Sequence, residues 1–451
     1  MTDQARTFEI DIVENWLLPD DDADVDAPDT KKPKDSPFSP WRFAKTAVSK
    51  AIIADAIVDI ERYEGLHGLR KRKRKKDDQE TFELTVEAIL CDLMHHKLYL
   101  RLNGIYVTRS KDVLGRRNRY RPRVLGKTFT RVLDMLAKSE LAWIEQDIGD
   151  GYGEGARRTT IRPGPRLTES MVDLNMAFAD LGFHGVNETV ILKNKKTDFW
   201  DKADVIDYED TEDTIRFRRE MQEINDWLRN ADLDYGSFQG ETSPIPDTDE
   251  RALRRIFTRG ELGCGGRLFD GFWQGMSKED RFDRLVIDGE AIAELDYSQM
   301  SARQLHGMKG VLPPSGDLYV IPGFEEYRSD MKTVFNAMVF SDKPLTRMPR
   351  GVGKKFQKGT KITDITEAIK RHHPAIADLF FEGIGHRIQF QESQIMVDIL
   401  LKLKRLGIVA LPIHDAILVA TSAREAAGLV MLDVFSYHVG LPGMVDVSLS
   451  P

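Results

Sequence analysis

Two cysteines, Cys91 and Cys264, are all that 451 residues contain. That excludes a disulfide framework and any multi-cysteine metal site. No apolar run approaches the ~18 residues of a transmembrane helix, so no membrane span is expected. No basic-then-apolar pattern opens the chain, so no secretory leader is expected and a cytoplasmic location is the default. Positive net charge is lacking as well. A formal charge of −8 looks wrong for a nucleic-acid binder, but distribution matters more than the total. From Arg101 to Arg131 there are ten Lys or Arg against one acid, Asp112. The chain has 41% apolar and 31% charged residues, which suits a soluble globular protein with a large core, and its length suits two or three domains.

Residues 1–40 are rich in Asp, Pro, Lys and Ser, with Asp20, Asp21, Asp22, Asp24 and Asp26 close together. They read as an acidic disordered tail. A helix is expected over about 41–66. The run Arg70 to Lys76 is seven consecutive cations, read either as a solvated linker or as a nucleic-acid contact. Val86, Ile89, Leu90 and Leu93 make one apolar helix face. Phe129, Val132, Leu133 and Leu136 make another, with Thr128 as a candidate N-cap. Strands are expected at 141–145 and 157–162, around the Gly-rich turn "DIGDGYGEG". Helices followed by a two-stranded hairpin describe a winged helix-turn-helix. Arg116, Arg117, Arg119, Arg121 and Arg123 lead into the second helix; Arg157, Arg158 and Arg162 lie on the hairpin, placed to touch phosphates. The bland alternative is a packing domain with a solvated basic face. We therefore divide the chain into the tail, a winged-helix-like DNA-binding domain at 41–170, a connector with a helix near 214–230 at 171–250, and a catalytic half at 251–451.

That last half carries the chemistry. "RLVIDGEAIAEL" shows strand patterning around Asp288-Gly289, a hairpin signal. Its second strand delivers Asp296. "IVALPIHDAILVA" reads as two apolar strands with His414-Asp415 between them. A helix with Ile395, Ile399, Leu400 and Leu403 on one face precedes it; another follows over 423–436, and "VDVSLS" forms a last strand. Antiparallel strands with helices behind them make an α+β layer. Between the two aspartates stand Arg328 and Lys332, one helical turn apart and so on one helix face. Two carboxylates that share metal ions, with an Arg/Lys helix face, are what phosphoryl transfer from a nucleoside triphosphate needs.

Here the residues resemble a known family. "LDYSQMSARQLH" is similar to motif A of family A DNA polymerases, and "IHDAILV" to their motif C hairpin. Arg328, Lys332 and Phe340 match the motif B spacing Arg-x3-Lys-x7-Tyr/Phe of family A and of phage-type single-subunit RNA polymerases. Gly266-Arg267-Leu268 with Gln274 is similar to the segment that precedes motif A. The resemblance covers about 260–451. It implies a reduced polymerase palm with an antiparallel sheet and helical fingers. It implies that Asp296 and Asp415, with the Tyr297 backbone carbonyl, hold two Mg²⁺ ions, Mn²⁺ being the alternative. It implies that Lys332 and Arg328 face the triphosphate, that Phe340 stacks near the templating base or the incoming nucleotide, that Arg267 touches the primer terminus, and that Asn336 and Gln274 belong to the substrate-binding residues. The implied partners are a DNA template and primer and nucleoside triphosphates.

The chain departs from the family pattern in several columns. The motif A Glu, which crowds the sugar 2′ position, is Ser301, and Phe340 has no hydroxyl to favour a ribose; tolerance of ribonucleotides is expected. Asn336 stands where the family has an aromatic residue or Met. The Glu after the motif C Asp is Ala416, so a third carboxylate is missing there. The interval from motif B to motif C is short, implying trimmed fingers, and no Asp-x-Glu exonuclease signature lies upstream. His414 reads equally as a turn histidine or a site residue. The expected function is template-directed nucleotidyl transfer by a small DNA polymerase, primase-like in its tolerance, in replication of a mobile element. The alternatives are a non-catalytic DNA-binding protein on a decayed palm and a template-independent terminal transferase. Oligomeric state is not legible.

Overall fold

The computed structural model describes residues 35–99, 103–115, 118–150, 157–186, 188–195, 203–236, 246–353, 355–357 and 359–449. Most of the acidic tail, Arg116, Arg117 and the tip of the Gly-rich turn lie outside these. The chain divides into two compact units, Met1–Glu188 and Thr189–Pro451. Both mix helices with small sheets, an α+β composition. No helix among the described residues is long and apolar enough to cross a membrane.

The first unit runs β1 (Ser36–Pro37), β2 (Arg42–Ala44), α1 (Ala47–Leu66), α2 (Lys76–Leu98), β3 (Ile105–Val107), α3 (Lys111–Gly115), α4 (Phe129–Leu136), β4 (Ile144–Asp147), β5 (Thr159–Pro163), α5 (Pro165–Asp173) and β6 (Leu181–Phe183). The helix expected from 41 starts later, because residues 42–44 pair with β6 as a strand. Thr46 opens α1, its N–H donating to Ser49 Oγ at 3.3 Å. The main sheet has the order β1-β3-β5-β4. The strand β5 lies antiparallel between β3 and β4. The two apolar helix faces meet in one core, where Val86, Ile89 and Leu90 pack with Phe129, Leu133 and Leu136, all essentially solvent-free. Each such side chain contributes roughly 1.5–3 kcal/mol of burial.

The second unit continues with β7 (Val190–Leu192), α6 (Glu212–Arg229), β8 (Leu233–Tyr235), β9 (Arg254–Phe257), β10 (Gly265–Phe269), α7 (Lys278–Arg284), β11 (Leu285–Ile287), β12 (Glu290–Tyr297), α8 (Met300–Met308), α9 (Arg328–Phe340), α10 (Ile362–His372), α11 (Gly385–Arg405), β13 (Ala410–Ile413), β14 (Ala416–Ala420), α12 (Arg424–Val439) and β15 (Val445–Leu449). Residues 171–250, read as a connector, thus supply β6 to the first unit and β7, α6 and β8 to the second. The central sheet has the order β13-β14-β12-β11-β8, with β15 also paired to β12. Asp288 (φ 52°) and Gly289 (φ 76°) make the tight turn between β11 and β12, the left-handed pair that a two-residue hairpin demands. One core joins this sheet to α6, α11 and α12 through Ile224, Leu295, Ile399, Leu400, Leu418 and Val434. A second joins α8, α9 and α10 through Leu305, Met331, Phe335, Ile365 and Ile369.

Candidate active site

The strand β12 places Asp296 at its end, and the turn between β13 and β14 carries Asp415. Register brings them together: Asp296 sits opposite Ala416, the residue next to Asp415, and on its other side opposite Asp446 of β15. Residues in register on neighbouring antiparallel strands share a sheet face, and like charges so placed repel. His414 turns the hairpin with a φ of 55°, and its ring meets Phe269 of β10 edge-on at 5.7 Å.

The surroundings of Asp296 raise its carboxyl above the ordinary value. Its carboxyl is held up at about 6, first by loss of water around it, then by the Asp415 charge, against the pull of the Lys332 ammonium. Loss of water is the leading cause although Asp296 is exposed at the end of its strand. Lys332 is itself exposed on α9. It forms no ion pair within 4 Å with the described residues.

A further carboxylate, Glu392 of α11, is buried at 3% side-chain exposure and takes Arg267 Nε at 2.6 Å. Burial, together with the charges of Asp415 and Asp296, holds it at about 7, against the stabilising Arg267 cation. The strand β10 reaches α11 because Gly266 has no side chain: a Cβ there would stand 2.8 Å from Ser393 Oγ and 2.9 Å from the Phe257 ring, at a φ of +83°. Beneath it Arg255, fully buried, donates to Ser393 Oγ at 2.9 Å and Gln394 Oε1 at 2.6 Å. Arg267 is thus held by a carboxylate that feels the charges of Asp415 and Asp296.

Other expected site residues are placed differently. Arg328 is half-exposed and paired to Asp317 at 2.5 Å. Asn336 lies one turn beyond Lys332, its Oδ1 buried without a hydrogen-bond partner. Ser301 is half-buried in the first turn of α8. Phe340 closes α9 with its ring edge-on to His386 at 5.2 Å and pressed on Gly385, where a Cβ would collide at 2.7 Å. Its neighbours are therefore those of a helix joint. Gln274 Nε2 donates to Pro412 O at 2.9 Å and Leu268 O at 3.1 Å, and Trp273 Nε1 donates to the same Pro412 carbonyl. This amide clasps β13 and holds the Asp415 hairpin. The Tyr297 ring lies in the core with its hydroxyl on Met431 O at 2.6 Å.

In the first unit, Arg121 donates to the Val113 carbonyl. Arg123 is tied to the start of α2 through Thr81 Oγ1 at 2.9 Å and Asp77 O at 2.8 Å. Arg119 pairs with Glu188 at 3.6 Å. On the hairpin, Arg157 pairs with Asp150 at 3.0 Å and Asp147 at 3.6 Å, and Arg158 lies over the Tyr106 ring at 4.5 Å. Arg117 lies outside the described residues.

Sequence reading missed Glu392 and Asp446. Glu392 sits in "QFQESQ", a polar stretch ahead of the apolar helix face, with no spacing signal. Asp446 lay in the expected last strand, and alternation says nothing about which strand it will pair.

No family model and no curated protein matches the chain. Among solved structures it is similar to the POL domain of Pol1 from M. smegmatis in complex with DNA primer-template and dNTP, at 12% identity and a TM-score of 0.30, covering 52% of this chain and 51% of that one. The chain therefore spans about half the length of that structure, and a likeness at this score carries no argument about activity.

Proposed function

We propose that the chain is a template-directed nucleotidyltransferase, a small DNA-polymerase-like enzyme acting on a DNA primer–template with nucleoside triphosphates. The observation that carries this reading is the in-register meeting of Asp296 and Asp446, with Asp415 at the adjoining turn, beside Lys332. Carboxylates crowded this way need countercharge. Hard oxygen donors suit Mg²⁺ or Mn²⁺, and the raised Asp296 carboxyl fits a place where a cation is wanted. Asp296 and Asp415, with the Tyr297 carbonyl, would hold such ions, and Asp446 is a candidate for the third carboxylate that Ala416 does not supply. Bound there, divalent ions supply Lewis acidity toward a primer hydroxyl and a leaving pyrophosphate.

The chain's own residues do the rest. Lys332 neutralises charge developing on the triphosphate. Arg328 contributes once a phosphate competes with Asp317. Arg267, oriented by Glu392, meets the primer end. Ser301 leaves room beside the sugar, and discrimination against ribose is weak. The topology of the first unit supports DNA binding: helices followed by the β4–β5 hairpin, with β3 paired to β5, match winged-helix order. Extension of a labelled primer with and without template tests the reading. Nucleotides added according to the template support it. Addition without regard to template makes the enzyme a terminal transferase, and no addition with Mg²⁺ or Mn²⁺ removes the catalytic reading.

A further inference from the structure

The run Arg70 to Lys76 is not a loose linker. Two of its members turn inward. Arg70 Nε and Arg74 Nη2 reach the buried Glu64 carboxylate at 3.1 and 2.7 Å, and the Arg74 guanidinium lies 3.7 Å over the Phe82 ring. The other Glu64 oxygen takes Arg131 Nη2 of α4 at 2.9 Å. One carboxylate, with a side-chain exposure of 3%, thus ties the polybasic segment to α4. Arg123 docks on the same end of α2, and Lys127 is exposed just ahead of α4. Two stretches far apart in sequence, 64–76 and 123–131, meet here. Lys71, Arg72 and Lys73 between the anchoring arginines, and Lys75 and Lys76 after them, are all exposed, and none forms an ion pair within 4 Å with the described residues. Glu61, Asp77, Asp78 and Glu80 stand at the rim, Glu61 and Glu80 engaged with Arg74 and Arg123. Unpaired like charges held together cost stability without a polyanion to meet them.

We infer that the Glu64-anchored segment 70–76, with Lys127 ahead of α4 and Arg131 within it, forms a phosphate-contacting surface for duplex DNA. It rests on the reading of the first unit as a DNA-binding module and extends it to a surface other than the β4–β5 hairpin. Anchoring favours DNA over an anionic membrane: preset cations match phosphates at fixed spacing, and the same carboxylate fixes the helix that precedes the hairpin. Leu66 and Leu69, exposed beside the segment, are the feature that a membrane would use instead.

The test uses the full chain and a short fluorescent DNA duplex, with Kd measured against KCl concentration. Lys71→Ala/Arg72→Ala/Lys73→Ala should lower the slope of log K against log salt by about 2 to 3, close to one counterion for each lost phosphate contact. Melting temperature should not fall, since the three side chains form no ion pairs among the described residues and their like charges repel. An unchanged slope, while Arg157→Glu/Arg158→Glu loses affinity, overturns the inference and leaves the hairpin reading standing. Unchanged slopes in both variants overturn both. Vesicles containing phosphatidylserine are the second probe: loss of vesicle binding in the triple variant, with its DNA slope intact, assigns the surface to membrane and overturns the inference.

Discussion

At the scale of single residues, charge does most of the explaining. Lys332 forms no ion pair within 4 Å among the described residues, and its charge acts on the Asp296 carboxyl, whose proton affinity is raised. Stabilisation offered to charge that grows during reaction lowers the barrier more than it strengthens binding. Lys332→Ala should therefore slow single-turnover incorporation by on the order of 10²-fold, with primer–template affinity little changed. Reduced DNA affinity with an unchanged chemical step would make Lys332 a nucleic-acid contact instead. Glu392 permits a pH test. Burial first, then the neighbouring aspartates, hold its carboxyl at about 7, above the ordinary ~4.3. The fold binds this proton more tightly than the unfolded chain does. The resulting stability is fully present below the ordinary value and is lost as pH rises through about 7. In a chelator, wild-type melting temperature should fall by several degrees between pH 5 and 7.5, at about 2–4 °C for each kcal/mol. Glu392→Gln should flatten part of that fall, Asp296 keeping the remainder. Identical pH profiles would show that Glu392 is ionised throughout.

At the scale of elements, the site depends on how closely β10 approaches α11. Gly266→Ala puts a methyl against Ser393 and Phe257 at a backbone angle that side chains avoid. It should cost about 1–2 kcal/mol and lower activity by displacing Arg267; full activity at unchanged melting temperature would remove the approach from the account. Elements with strong local signals were legible in the sequence. Asp288-Gly289 announced its hairpin, and Ile395, Ile399, Leu400 and Leu403 marked the buried face of α11, all four solvent-free. Residues 42–44 and 190–192 were not legible as strands. Each has three residues, too few for alternation to register, and each is made a strand by a partner far away in sequence. The same limit hid Asp446, whose importance lies in pairing with Asp296 across 150 positions. Gln274 and Phe340 fit a motif by spacing, but spacing does not say what a side chain touches: one clasps Pro412, the other packs on Gly385 and His386.

At the scale of the molecule, two α+β units each carry one kind of chemistry: cations gathered around Glu64 in the first, carboxylates gathered around Asp296 in the second. The second decides whether the protein is an enzyme. The most direct measurement is template-directed primer extension by wild type, Asp296→Asn and Asp415→Asn, with circular dichroism to establish that each variant is folded. The account expects extension by the wild type that requires Mg²⁺ or Mn²⁺, and its loss in both folded variants, since either substitution removes an oxygen donor and a charge from the cluster. Extension at the wild-type rate by either variant would contradict it.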